Sequence, residues 1–120
     1  MERLPSLADM IKETFIVPIY DCQVDVFVTK HVETVAEKVN YNEDCSGSEG
    51  LTLSYPLNPG IYCVIFKKRT LNPGVVAHEA YHLTAKIMQT CDIKYDIDNI
   101  EPFAYLNGYL VQELHKIIWQ

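Results

Sequence analysis

The chain has no Cys-x-x-Cys pair, a shortage of basic residues and no apolar run long enough to span a membrane. Its four cysteines, Cys22, Cys45, Cys63 and Cys91, are scattered, which excludes a four-cysteine zinc knuckle. Lys and Arg number 10 against 16 Asp and Glu, for a formal net charge of -6. Phosphate binding is driven by Lys and Arg, so this balance argues against a nucleic-acid partner. The one short basic run, Lys67-Lys68-Arg69, follows an apolar segment and reads as a solvated strand end. Met1 to Met10 carries charges and a proline where a signal peptide needs an unbroken apolar stretch. The sequence therefore predicts an intracellular (cytoplasmic) protein with free thiols and no membrane partner.

Nearly half of the 120 residues are hydrophobic, and no repeat, low-complexity tract or linker divides them. One domain over 1–120 is expected, with a core that needs no staples. Ser6-x-x-Asp9 resembles a capping box, and Leu7, Met10 and Ile11 would share a helix face, which predicts a first short helix ended by Pro18. Cys22 to Val28 is rich in β-branched residues and predicts a strand. Val32, Val35, Ala36 and Val39 fall at helical spacing, and the polar stretch Asn40 to Gly50 predicts a loop. Leu51–Tyr55 and Ile61–Phe66 flank Asn58-Pro59-Gly60, the signature of a hairpin. Asn72-Pro73 predicts the start of a helix that runs to about Met88 or Thr90, because Asn is a good N-cap and Pro suits the first helical position. A last helix is expected from about Asn99 to Ile118. The order helix, strand, helix, hairpin, two helices predicts an α+β domain.

The chemistry is concentrated in His78-Glu79-Ala80-Tyr81-His82. On a helix, residues four apart lie one turn apart on one face, so His78 and His82 can bind one Zn²⁺. Glu79 follows the first ligand and projects to its side, within reach of a metal-bound water whose proton it can take. A zinc hydrolase needs a third protein ligand and an open fourth position. Ala85 and Met88 stand where an extended form of the motif would carry Gly and His, so that form is excluded. Glu101, in the first turn of the last helix, is the favoured third ligand, and the long loop before it would let that helix fold back antiparallel. Asp98-x-x-Glu101 also matches a capping box, and Asp96, Asp98 and His115 are weaker alternatives as ligands. Tyr105, one turn after Glu101, is a candidate to hydrogen-bond a ligand or a developing oxyanion. His31 and His115 read as ordinary, partly exposed histidines.

His78-Glu79-Ala80-Tyr81-His82 followed by Glu101-Pro102-Phe103-Ala104-Tyr105 resembles the gluzincin branch of zinc metallopeptidases. It is similar above all to the minimal forms called minigluzincins, which include small proteins of bacteriophages and bacteria. The resemblance covers Leu51 to about Leu114. It implies a zincin-like fold with a small sheet on the motif helix, His78, His82 and Glu101 as zinc ligands, and Glu79 as base. It also implies that Ile61 to Phe66 is the edge strand that holds an extended substrate. Tyr105 stands where larger members often carry an acid. The expected activity is zinc-dependent hydrolysis of a peptide or protein substrate. The rival expectation is a zinc-containing binding or regulatory module that does not turn over.

Overall fold

The computed structural model describes residues 10–39 and 47–119. The chain begins with strand β1 (Met10–Val17), turns at Pro18 to Asp21, and returns as β2 (Cys22–Thr29). Helix α1 (Val32–Lys38) follows, then strands β3 (Gly50–Ser54) and β4 (Ile61–Lys67). Helix α2 (Pro73–Thr90) and helix α3 (Ile100–Trp119) complete the domain. Among the described residues no helix is long and apolar enough to cross a membrane.

The four strands order as β1-β2-β4-β3. β1 pairs antiparallel with β2, β2 parallel with β4, and β3 antiparallel with β4. Because side chains alternate across a strand, each central strand feeds two cores. Val24, Val26 and Val28 of β2 meet Tyr62, Val64 and Phe66 of β4 on the face covered by α2 and α3. Phe27, Cys63 and Ile65 occupy the other face, under Val32, Val35 and Ala36 of α1. A strand buried on both sides reads as a continuous apolar run, which is the pattern of Ile61 to Phe66.

Two sequence expectations about these elements are overturned. Met10 and Ile11, expected on a helix, belong to β1; Ser6 to Asp9 of that predicted helix lie outside the described residues. Thr14, Ile16 and Val17 are β-branched, and pairing of β1 with β2 along its whole length, from Met10↔Thr29 to Val17↔Cys22, outweighs the weak helical spacing. The second concerns the sheet edge. Ile61 to Phe66 is not an edge strand: β4 lies between β2 and β3, and the edges are β1 and β3.

Asn72 caps α2 as expected, its Oδ1 accepting from the Val75 N–H at 3.1 Å, with Pro73 in the first turn. The other end closes on Asp92, whose φ of 56° lets the Ile93 N–H donate to the Met88 carbonyl at 2.9 Å. The buried stripe of α2, Val76, Ala80, Leu83 and Ile87, faces the sheet, so the opposite face of the helix is turned to solvent. Two contacts join α2 to α3: the rings of Tyr81 and Phe103 lie 5.1 Å apart, and Thr84 Oγ1 donates to Asn107 Oδ1 at 3.1 Å. Both contacts advance in the same sense along the two helices. Residues 91–99 therefore retrace α2 before α3 begins, and α3 does not fold back antiparallel as the loop length had suggested.

Candidate metal and catalytic site

His78 and His82 stand one turn apart on the solvent side of α2. Their Nε2 atoms are 3.2 Å apart and their rings meet edge to face, with centroids at 4.8 Å. The His78 side chain is 68% exposed. Two imidazole nitrogens that each lie about 2.0–2.1 Å from a tetrahedral zinc ion are separated by little more than this distance. The spacing is that of two ligands to one ion, and in this structure the same contact is a hydrogen bond between the two rings.

Glu79 is held in a different environment. It is 6% exposed, between α2 and the edge strand β3. Thr52 Oγ1 donates to Glu79 Oε1 at 2.7 Å and also lies 3.2 Å from the Glu79 carbonyl oxygen. The second carboxylate oxygen, Oε2, lies 3.9 Å from His78 Nε2. Gly50 makes this possible: a Cβ at that position would stand 2.8 Å from Glu79 Cγ and 3.2 Å from Cδ. Thus one oxygen of Glu79 is anchored by the sheet and the other is directed to the histidine pair. An open depression of about 510 Å³ lies over this flank, lined by Glu49, Gly50, Asn72, Val75, His78 and Glu79 among others.

Thr52 and Gly50 were not singled out from the sequence. Thr52 is one polar residue in an alternating strand, and Gly50 reads as part of a loop. Their role follows only once β3 is laid beside α2.

Glu101 stands apart from the pair. It lies in the first turn of α3 and is exposed. Phe103 and Asn107 are among the residues of α3 that meet α2, and Glu101 is two residues before Phe103, on nearly the opposite side of the helix. Among the described residues no three His, Cys, Asp or Glu side chains are grouped to hold a metal ion. The side-chain cap at this junction comes from Asp96, whose Oδ1 accepts from the Asp98 N–H at 2.9 Å. Tyr105 is 76% exposed on the same outward side as Glu101. His115 is near the end of α3, its ring 4.7 Å from that of Trp119, and His31 precedes α1.

On the other flank of the histidines is an aromatic group. Tyr81, between the two ligand candidates, stacks against Phe103, and Tyr95 packs on both, 4.2 Å from Phe103 and 6.3 Å from Tyr81. The interaction with Tyr95 raises the Tyr81 phenol above its ordinary range.

Of the cysteines, Cys22, Cys63 and Cys91 are free thiols. Cys63 is fully buried, and burial pushes its thiol up to about 12. On the same side of the sheet, Asp25 accepts from Thr14 Oγ1 at 2.8 Å, Gln23 Nε2 at 3.1 Å and the Tyr55 hydroxyl at 2.7 Å. Those bonds account for a buried carboxylate far from the histidines. No family model matches the chain, and no curated protein and no solved structure matches it.

Proposed function

We propose that the chain is a zinc-dependent peptidase of the zincin-like kind, in which His78 and His82 hold the ion and Glu79 is the general base. The observation that carries this reading is the joint geometry of the three side chains. Two Nε2 atoms 3.2 Å apart suit one cation, and the carboxylate beside them is fixed by Thr52 with its free oxygen turned their way. A histidine pair placed on a helix for packing alone gives no reason to anchor the intervening Glu.

Zinc, when bound, lowers the pKa of its water toward about 7 and polarises a carbonyl. Glu79 would be the residue that takes a proton from the attacking water through Oε2 and passes it to the leaving nitrogen. Thr52 keeps Oε1 occupied, so that the carboxylate cannot swing to ligate. Glu101 as third ligand and Tyr105 as oxyanion donor come from the motif resemblance, and both would have to be brought to the pair from the outward side of α3 when the ion binds. Digestion of a proteome-derived peptide library by zinc-loaded protein tests the activity. Cleavage that is lost on chelation and in Glu79→Gln is the expected result, and no cleavage at any substrate excess overturns it.

One observation favours a second reading. Glu101 faces away from α2, which suits a module that keeps the histidine pair for binding without turnover. Zinc uptake without cleavage in the same digest selects that reading.

A further inference from the structure

The face of α2 that carries His78 and His82 does not end with them. One turn beyond His82 it continues as Ala85, and there an open groove of about 530 Å³ begins, between the second half of α2 and residues 92–96. Ala85, Ile93 and Tyr95 line it with apolar surface over the buried Met88. Asp92 and Asp96 also line it, against one cation, Lys94. Tyr95 is fixed in place by Phe103, yet remains 58% exposed, and Tyr81 beside it is 45% exposed. Ile97, two residues on, is 82% exposed. Large apolar side chains left in contact with water next to a candidate site mark a binding surface. Along residues 92–98 the acids Asp92, Asp96 and Asp98 outnumber the single cation Lys94, which favours a cationic partner.

The dimensions match a polypeptide. One helical turn is about 5.4 Å, and an extended chain advances about 3.3 Å per residue. A side chain one or two positions from a bond held at the histidines therefore reaches Ala85, where the groove begins.

We propose that this groove recognises a peptide through one large apolar or aromatic side chain, seated on Ala85, Ile93 and Tyr95, with an adjacent Lys or Arg facing Asp92 and Asp96. The inference rests on the peptidase reading only in making the groove part of that site; binding itself needs no turnover.

The test is fluorescence anisotropy on the full chain carrying Glu79→Gln, which removes cleavage from the measurement. Three labelled peptides serve as probes: Gly-Gly-Phe-Lys-Gly-Gly, Gly-Gly-Phe-Glu-Gly-Gly and Gly-Gly-Ser-Lys-Gly-Gly. The first should bind at least tenfold more tightly than the other two. Tyr95→Ser should remove most of that binding, and Asp92→Asn with Asp96→Asn should erase the preference for Lys over Glu. Ala85→Lys, at an exposed position of the groove where folding is not at stake, should also weaken the first peptide. Glu37→Gln, in α1 on the opposite face of the sheet, should leave it unchanged. Equal binding of the three peptides, or binding indifferent to both Tyr95→Ser and Ala85→Lys, overturns the proposal. If the unmodified protein cleaves peptides without this preference, the groove assignment alone fails. If it takes up no zinc and cleaves nothing while the anisotropy pattern holds, the peptidase reading alone fails.

Discussion

Thr52 Oγ1 donates to Glu79 Oε1 at 2.7 Å, and this bond ties the edge strand of the sheet to a carboxylate that stands beside His78. Glu79 is nearly buried, so removal of the donor leaves a charged acceptor without its partner. Thr52→Val keeps the shape and removes the hydroxyl. It should destabilise the fold by about 1.5–3 kcal/mol, the range for a hydrogen bond to a charged group. Chemical denaturation of the two proteins measures this, and equal stability would show that the bond contributes nothing.

Gly50→Ala acts on the same carboxylate by contact. The new Cβ would lie 2.8 Å from Glu79 Cγ, so the side chain must move away from its place beside His78. The expected outcome is zinc uptake equal to that of the parent with hydrolysis reduced at least tenfold. Hydrolysis at the parental rate would mean that the position of Glu79 does not matter to the reaction.

Glu79→Gln should retain the fold and the metal and lower hydrolysis by about 10²–10⁴-fold, the usual worth of a general base. Gln is close to Glu in shape and accepts from Thr52 equally well, but it cannot take a proton from water. Loss of zinc in this variant would make Glu79 a ligand and the assigned role wrong.

The turn between β1 and β2 holds a strained residue. Ile19 has φ 74°, with the Tyr20 N–H donating to the Pro18 carbonyl at 2.8 Å across it, and it is 96% exposed. A β-branched residue is unfavourable in this region, and the side chain gains no burial to offset it. Ile19→Gly should therefore stabilise the protein by about 1 kcal/mol, after the extra freedom of Gly in the unfolded chain is counted. A thermal melt shifted downward would contradict this.

Cys63 sets a limit at high pH. Its thiol is raised from 9.0 to about 12 by burial in the folded state. The unfolded chain releases that proton first, so the stability is complete below about pH 9 and falls between 9 and 12, by up to about 1.4 kcal/mol per pH unit. Cys63→Ala should flatten this decline in urea melts taken from pH 8 to 11, although it lowers stability at neutral pH by opening space in the core.

Much of the frame was legible in the residues themselves. The Asn58-Pro59-Gly60 turn and the Asn72 cap fix the hairpin and the start of α2, because their backbone requirements are local. The histidine pair followed from the same helix. β1 was not legible: Met10 and Ile11 fit a helical face, and only pairing with β2 decides otherwise. The edge of the sheet was also hidden, since a buried central strand and an apolar edge strand read alike, and β2 pairs with β4 across a long sequence separation. The direction of α3 depends on Tyr81, Tyr95 and Phe103 meeting, which no spacing in the sequence announces.

Zinc titration of the metal-free chain, followed by calorimetry, tests the central claim most directly. One ion should bind per chain. Binding should vanish in His78→Ala and in His82→Ala, weaken by orders of magnitude in Glu101→Ala, and stay unchanged in His115→Ala. No uptake of zinc by the parent chain, or uptake that survives replacement of both His78 and His82, would contradict the account.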